Sequence, residues 1–133
     1  MKLLGVTGLN HITLAVKEVT PSVNFYVGVL GFTLRKQWRG GAHLEAGTLW
    51  LCLSRDAATR SAPHPDYTHL ALDISAENFD GLADKIRQSG TEIWKDNKSE
   101  GASFYFLDPD GHKLELHSGS LATRLTDMKA KGR

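Results

Sequence analysis

The chain has one cysteine, Cys52, so no internal disulfide can form and a reducing compartment is expected. It has no apolar run near the roughly 18 residues that a membrane-spanning helix needs. Its opening residues, Met1-Lys2-Leu3-Leu4-Gly5-Val6, are too short for the apolar core of a secretory leader. The expected location is the cytoplasm. Neither sign of charge dominates: 16 Lys and Arg stand against 15 Asp and Glu, which leaves no basic stripe for nucleic acid and no acidic tail. No Ser-His-Asp arrangement for a protein nucleophile is evident. Of only four prolines, Pro63 and Pro65 fall together and mark a linker at 55–66. At 133 residues the chain is expected to form one domain, 1–133, large enough to bury its own core.

The strongest internal signal is a repeat. A strand is expected at about 8–16. Thr20 then reads as a helix cap with Pro21 at the first helical position, where a missing N–H costs nothing. Val23, Tyr26, Val27 and Leu30 form the apolar stripe of that helix, and Gly31 ends it. Strands follow near 32–38, 42–46 and 48–54. The second half repeats the plan: a strand at about 67–74, Ser75 as a cap, a helix carrying Phe79, Leu82, Ala83 and Ile86, Gly90 as its end, and strands near 91–95, 103–107 and 112–117. His11 and His69 are 58 residues apart, and Gly31 and Gly90 are 59 apart. Each half, 8–54 and 67–117, is βαβββ, followed by a short helix at about 119–129. The fold class is α+β: two βαβββ modules forming a cupped sheet.

Strand periodicity sorts residues onto faces. One face collects Ile12, Leu14, Val16, Leu49, Leu51, Leu53, Leu70, Leu72, Ile74, Phe104, Phe106, Leu114 and Leu116 and should lie under the helices. The other collects His11, Thr13, Trp50, Cys52, Tyr67, His69, Asp73, Ser103, Tyr105, Lys113, Glu115 and His117. A solvent face would be mostly Lys, Glu and Thr; this one reads as a cavity lining. Two imidazoles and a carboxylate, His11, His69 and Glu115, can hold a divalent ion of the Mn²⁺, Zn²⁺ or Fe²⁺ kind with coordination positions left open. A lone strand histidine is more often a satisfied, partly buried group, but three ligand types at related strand positions mark a site. Asn97, Ser99, Glu100, Gly101 and Ser103 supply oxygen ligands within seven residues, a pattern that suits a hard cation.

Several blocks carry a family resemblance: Gly8-Leu9-Asn10-His11-Ile12-Thr13-Leu14-Ala15-Val16, Leu49-Trp50-Leu51-Cys52-Leu53-Ser54, Asp66-Tyr67-Thr68-His69, and the long stretch from Trp94 to His117. With Arg124, they make nearly the whole chain resemble the fosfomycin-resistance glutathione transferases of the vicinal oxygen chelate (glyoxalase-like) superfamily. The resemblance implies Mn²⁺ at His11, His69 and Glu115, and K⁺ at Asn97, Ser99, Glu100, Gly101 and Ser103. It implies a phosphonate held by Lys95, Ser99, Tyr105 and Arg124, with Ser103 also at the substrate. Thr13 would hydrogen-bond a substrate oxygen, and Trp50 and Tyr67 would be cavity walls. The implied reaction is attack of glutathione on the epoxide of fosfomycin. The implied assembly is a domain-swapped homodimer, with His11 from one copy and His69 and Glu115 from the other.

One stretch departs from the pattern. The family usually has Asp-x-Gly-Ala-Tyr before the third strand, with the tyrosine near the thiol; here it is Arg39-Gly40-Gly41-Ala42-His43. His43 could hydrogen-bond the sulfur or act as a base. The alternatives within the same cavity are a metal-dependent epoxide hydratase, for which Glu45 is the available carboxylate, and a binding protein that sequesters the drug. The retained His, His and Glu argue against sequestration.

Overall fold

The computed structural model describes residues 4–98 and 100–133. Ser99, expected at both the cation and the phosphonate, lies outside the described residues, as do residues 1–3. Contacts divide the chain into two compact units, Met1–Thr59 and Arg60–Arg133.

The first unit contains β1 (Ile12–Val16), α1 (Val19–Val23), a π-helical continuation (Asn24–Val29), β2 (Thr33–Trp38), β3 (Gly41–Ala46) and β4 (Leu49–Arg55). Its sheet runs β1-β4-β3-β2, with β1 parallel to β4 and the remaining pairs antiparallel. The second contains β5 (Leu70–Asp73), α2 (Ala76–Gln88), β6 (Ile93–Lys95), β7 (Ala102–Leu107), β8 (Lys113–Ser118) and α3 (Leu121–Ala130). Its order, β5-β8-β7-β6, and its one parallel pair, β5 with β8, repeat the first unit. The βαβββ module expected from the sequence is thus present twice, and the fold class is α+β.

Alternation explains the layering. In β4 Leu51 and Leu53 are buried while Trp50 and Ser54 are exposed, so the odd positions face the helix. Val16, Tyr26, Ala42 and Leu44 complete that core; Ile86, Phe106, Leu114 and Leu116 form its counterpart in the second unit. The helices end at Gly31 and Gly90, both at positive φ, 82° and 80°, where a side chain would be strained.

The boundaries differ from the sequence expectation in several places. The first strand starts at Ile12, not 8, which leaves His11 one residue ahead of it, and the sixth starts at Ile93, not 91. The first helix begins at Val19, behind Glu18, rather than at Pro21. Thr20 is not the cap because the helix already includes it; its hydroxyl accepts from Gln37 Nε2 at 3.2 Å, and Pro21 still sits in the first turn, where N–H groups have no helical partner. The π-helical turn then widens the spacing, so Phe25 joins Val23 and Tyr26 in the core while Val27 and Leu30 are only half-buried. Ser75 is the N-cap residue of α2, but its side chain makes no capping bond. The fifth strand starts at Leu70, not 67, because local side-chain bonds tie residues 66–69 to themselves. α3 is instead held by a capping box between Ser120 and Thr123.

Replacing Ile86, fully buried on the inner face of α2, by alanine is expected to cost about 2–5 kcal/mol in urea unfolding. Leu125→Ala, on the exposed side of α3, should change stability by less than ~0.5 kcal/mol.

Candidate metal centre and its surroundings

In the second unit the parallel pairing of β5 with β8 sets Ala71 opposite Glu115, and the antiparallel pairing sets Tyr105 opposite Glu115 and Ser103 opposite His117. His69 sits one residue ahead of β5. Asp66 opens a turn there: its Oδ1 accepts the Thr68 N–H at 3.1 Å, and that bond holds the Asp66 carboxyl below the usual carboxylate range. The turn presents the Tyr67 carbonyl to His69, whose Nδ1–H donates to it at 2.8 Å. A carbonyl only accepts, so the tautomer follows: in a neutral ring Nε2 carries the lone pair. That Nε2 lies 3.0 Å from Glu115 Oε1.

Glu115 is 5% exposed, and its second oxygen is engaged as well. Ser103 Oγ donates to Oε2 at 2.6 Å and lies 2.6 Å from His117 Nδ1. A hydroxyl has one proton, so Ser103 accepts from His117 Nδ1–H. His117 Nε2 faces Glu100 Oε1 at 3.3 Å, and Arg124 Nε donates to that same oxygen at 3.1 Å. A polar chain, Glu115–Ser103–His117–Glu100–Arg124, therefore orients the carboxylate from behind. His117 carries no role in the sequence reading, although its period-two spacing from Glu115 placed it on this face.

Around His69 stand Tyr67, Trp94 and Tyr105, with ring centroids at 4.8, 5.3 and 6.0 Å. Trp94 was missed as a wall residue; its Nε1 donates to the Leu114 carbonyl at 3.0 Å, which fixes the ring. The Lys95 ammonium lies over the Tyr67 and Tyr105 rings at 4.5 and 4.8 Å and donates to the Tyr67 hydroxyl. That hydrogen bond first, then the electrostatic pull of Tyr105, Tyr67 and Glu115, raises the Lys95 pKa above its ordinary 10.5. Lys95 is consequently a fixed positive charge beside the pair. In the neighbouring loop Asn97 Nδ2 donates to the Gly101 carbonyl at 3.1 Å, and Glu100 is already engaged by Arg124.

In the first unit His11 donates Nδ1–H to Asn10 Oδ1 at 2.7 Å, so its Nε2 also presents a lone pair. Trp50 stacks on the His11 ring at 4.3 Å. Thr13, Cys52 and His43 occupy one row across β1, β4 and β3. Trp50 Nε1 donates to His43 Nδ1 at 3.1 Å, and Trp38 packs against His43 at 4.9 Å. Trp38 also walls a cavity of about 430 Å³ with Thr20, Gln37, Arg39 and Arg55, to none of which the sequence reading gave a binding role. Glu45 is half exposed and pairs with Arg35 at 3.4 Å.

The second unit's pair suits a metal ion. A lone pair on His69 Nε2 facing a carboxylate oxygen at 3.0 Å requires a cation, either a second ring proton or a metal. Imidazole and carboxylate donors, each oriented by a bond on its far side, fit a borderline divalent ion. Among the described residues no three His, Cys, Asp or Glu side chains gather at one point; His11 belongs to the first unit, His69 and Glu115 to the second.

Residues 8–116 match the family described as the Glyoxalase/Bleomycin resistance protein/Dioxygenase superfamily. The chain is 54% identical over 125 residues to glutathione transferase FosA of Serratia marcescens, covering 92% of this chain and 89% of that protein. It is 34% identical over 128 residues to metallothiol transferase FosB of Staphylococcus haemolyticus, covering 93% and 92%. Among solved structures, the fosfomycin resistance protein FosX of Listeria monocytogenes is similar with a TM-score of 0.81 and 28% identity, covering 92% of this chain and 99% of that one. A Glu-to-Gln mutant of that protein, complexed with Mn(II) and 1S,2S-dihydroxypropylphosphonic acid, gives a TM-score of 0.81 at 29% identity, covering 92% and 98%.

Calorimetric titration with Mn²⁺ should show Glu115→Gln reducing affinity most. Ser103→Ala, which only removes the bond behind the carboxylate, should reduce it by about 10–100-fold. Equal affinity in wild type and Glu115→Gln would take the ion away from this pair.

Proposed function

The chain belongs to the Glyoxalase/Bleomycin resistance protein/Dioxygenase superfamily, and we propose that it is a metal-dependent glutathione transferase that opens the epoxide of fosfomycin with the thiol of glutathione, conferring resistance to the drug. The observation that carries this reading is the His69–Glu115 pair, its donor atoms 3.0 Å apart with the far nitrogen of the imidazole tied to a carbonyl. Its 54% identity to a glutathione transferase supports thiol rather than water as the nucleophile.

His11, His69 and Glu115 would hold the ion, with Mn²⁺ the proposed metal. When bound it supplies Lewis acidity to the epoxide oxygen, where negative charge develops as the ring opens. The remaining work belongs to side chains. Lys95, charged and seated between two phenol rings, offers a charge-assisted donor to a phosphonate oxygen, and Arg124 offers donors beyond the one given to Glu100. Tyr105 and Ser103 border the same carboxylate and would orient the phosphonate with Ser99. Thr13 would hydrogen-bond a substrate oxygen on the first unit's face. Trp50 and Tyr67 would wall the cavity and exclude water. Asn97, Ser99, Glu100, Gly101 and Ser103 are proposed to hold K⁺, which offsets part of the phosphonate charge.

The same proposal includes a homodimer with two sites, in which His11 of one copy joins His69 and Glu115 of the other, residues 1–133 forming a single domain. The two ligand groups lie on separate compact units, which is compatible with exchange between copies. The described residues contain no helix long and apolar enough to cross a membrane; a cytoplasmic setting, where glutathione is abundant, fits the proposed chemistry.

Mass spectrometry after incubation with fosfomycin, Mn²⁺ and K⁺, with and without glutathione, tests the reaction. A glutathione adduct is expected; a diol formed equally without thiol would make the protein a hydratase, and intact drug a binder. His69→Ala should abolish adduct formation at saturating Mn²⁺. Replacing K⁺ by Na⁺ should slow turnover, and identical rates would remove the cation from the 97–103 loop.

A further inference from the structure

We infer that His43 serves thiol addition as a hydrogen-bond donor through Nε2, not as a base, and that Trp50 is the positioning residue that keeps it in that form. The inference rests on the thiol-addition reading above. Its evidence is a single direction of donation. An indole N–H can only donate, and Trp50 Nε1 lies 3.1 Å from His43 Nδ1. Nδ1 must therefore present its lone pair to the indole. In the neutral ring the proton is then on Nε2. A base needs a lone pair to receive the thiol proton; this ring has one, and Trp50 occupies it.

The surroundings hold that state. His43 is clamped between Trp38, with ring centroids 4.9 Å apart and planes at 48°, and Trp50, at 5.5 Å and edge-on. It sits in the middle of a ladder, opposite Cys52 on β4, so its Cα is fixed by β3 pairing on both sides. Flipping the ring about its Cβ–Cγ bond would cost the indole bond. No group among the described residues takes the Nε2 proton, so it is available to an incoming anion. A face of the same indole lies on His11, 4.3 Å centroid to centroid, so one side chain contacts both histidines of the first unit's polar face, one by its edge and one by its face.

The chemistry then balances without a protein base. The thiol, whose ordinary pKa is ~8.5, gives its proton to water, and the Nε2–H donor stabilises the resulting thiolate. The sulfur–carbon bond forms as the epoxide carbon–oxygen bond breaks. The electron pair passes to that oxygen, which takes a proton from water. A donor, unlike a base, is needed in the same protonation state from start to finish, and a tautomer fixed by an indole provides that.

Imidazole ¹⁵N spectra of the protein without substrate should show His43 as the Nε2–H tautomer, and Trp50→Phe, which keeps the stacking but loses the N–H, should give a mixture. In glutathione kinetics His43→Phe should lose about 10²-fold in kcat/KM. His43→Gln, whose amide can donate from the same place but cannot accept a proton, should recover to within about tenfold of wild type, with the thiol inflection retained in its pH profile. Trp50→Phe should alter that profile by exposing Nδ1. His43→Gln as slow as His43→Phe, or an Nδ1–H tautomer in a protein that forms adduct, overturns the inference alone. No adduct from the wild-type protein overturns the transferase reading itself, while the spectra still decide the tautomer.

Discussion

A ladder of only four residue pairs, β5 against β8, brings His69 to Glu115 across 46 positions of sequence. Parallel pairing is the costly kind: it needs a crossover, here supplied by α2 and two further strands. Everything at the candidate centre depends on this closure. If β5 frayed, the carboxylate of Glu115 would keep its bond from Ser103 but lose the imbalance of facing lone pairs that calls for a cation. The burial of Leu114 and Leu116 on the reverse side of β8 is what holds the ladder shut, so the apolar layer and the polar pair are two faces of one strand.

Much of this was legible in the chain. The repeat declares itself through His11 and His69, Gly31 and Gly90, and alternation assigns Glu115 and Leu114 to opposite faces without any coordinates. The polar and apolar lists follow from a period of two, a property of the backbone that tertiary context cannot change. Other features depended on partners far away in sequence. Thr20 looks like a cap, but the helix starts one residue before it and its hydroxyl faces Gln37 instead. The stripe from Val23 to Leu30 assumes a regular helix, and the π-helical turn trades Val27 for Phe25. Residues 67–69 have strand composition, but Asp66 and His69 spend their side chains on the local backbone.

The polar chain behind Glu115 was the least legible part. Ser103, His117, Glu100 and Arg124 are each ordinary surface types, and nothing in their spacing says which proton goes where. Only the distances, 2.6 Å from Ser103 to both Glu115 and His117, force the direction of donation. Tautomers follow the same logic. His11, His69 and His43 are identical letters, yet Asn10, a carbonyl and an indole commit them to different protons.

The shared register gives the repeat one more meaning. Thr13, Cys52 and His43 align across the first sheet as Ala71, Glu115 and Tyr105 align across the second. Cys52 thus stands where its twin module has the carboxylate, and His43 where the twin has a phenol. Duplication left two copies of one scaffold, and each has specialised: one keeps an acid, the other a soft sulfur and an aromatic clamp. Such a division gives one backbone plan two polar faces of different chemistry, oxygen donors on one and a thiol beside an indole-bound imidazole on the other.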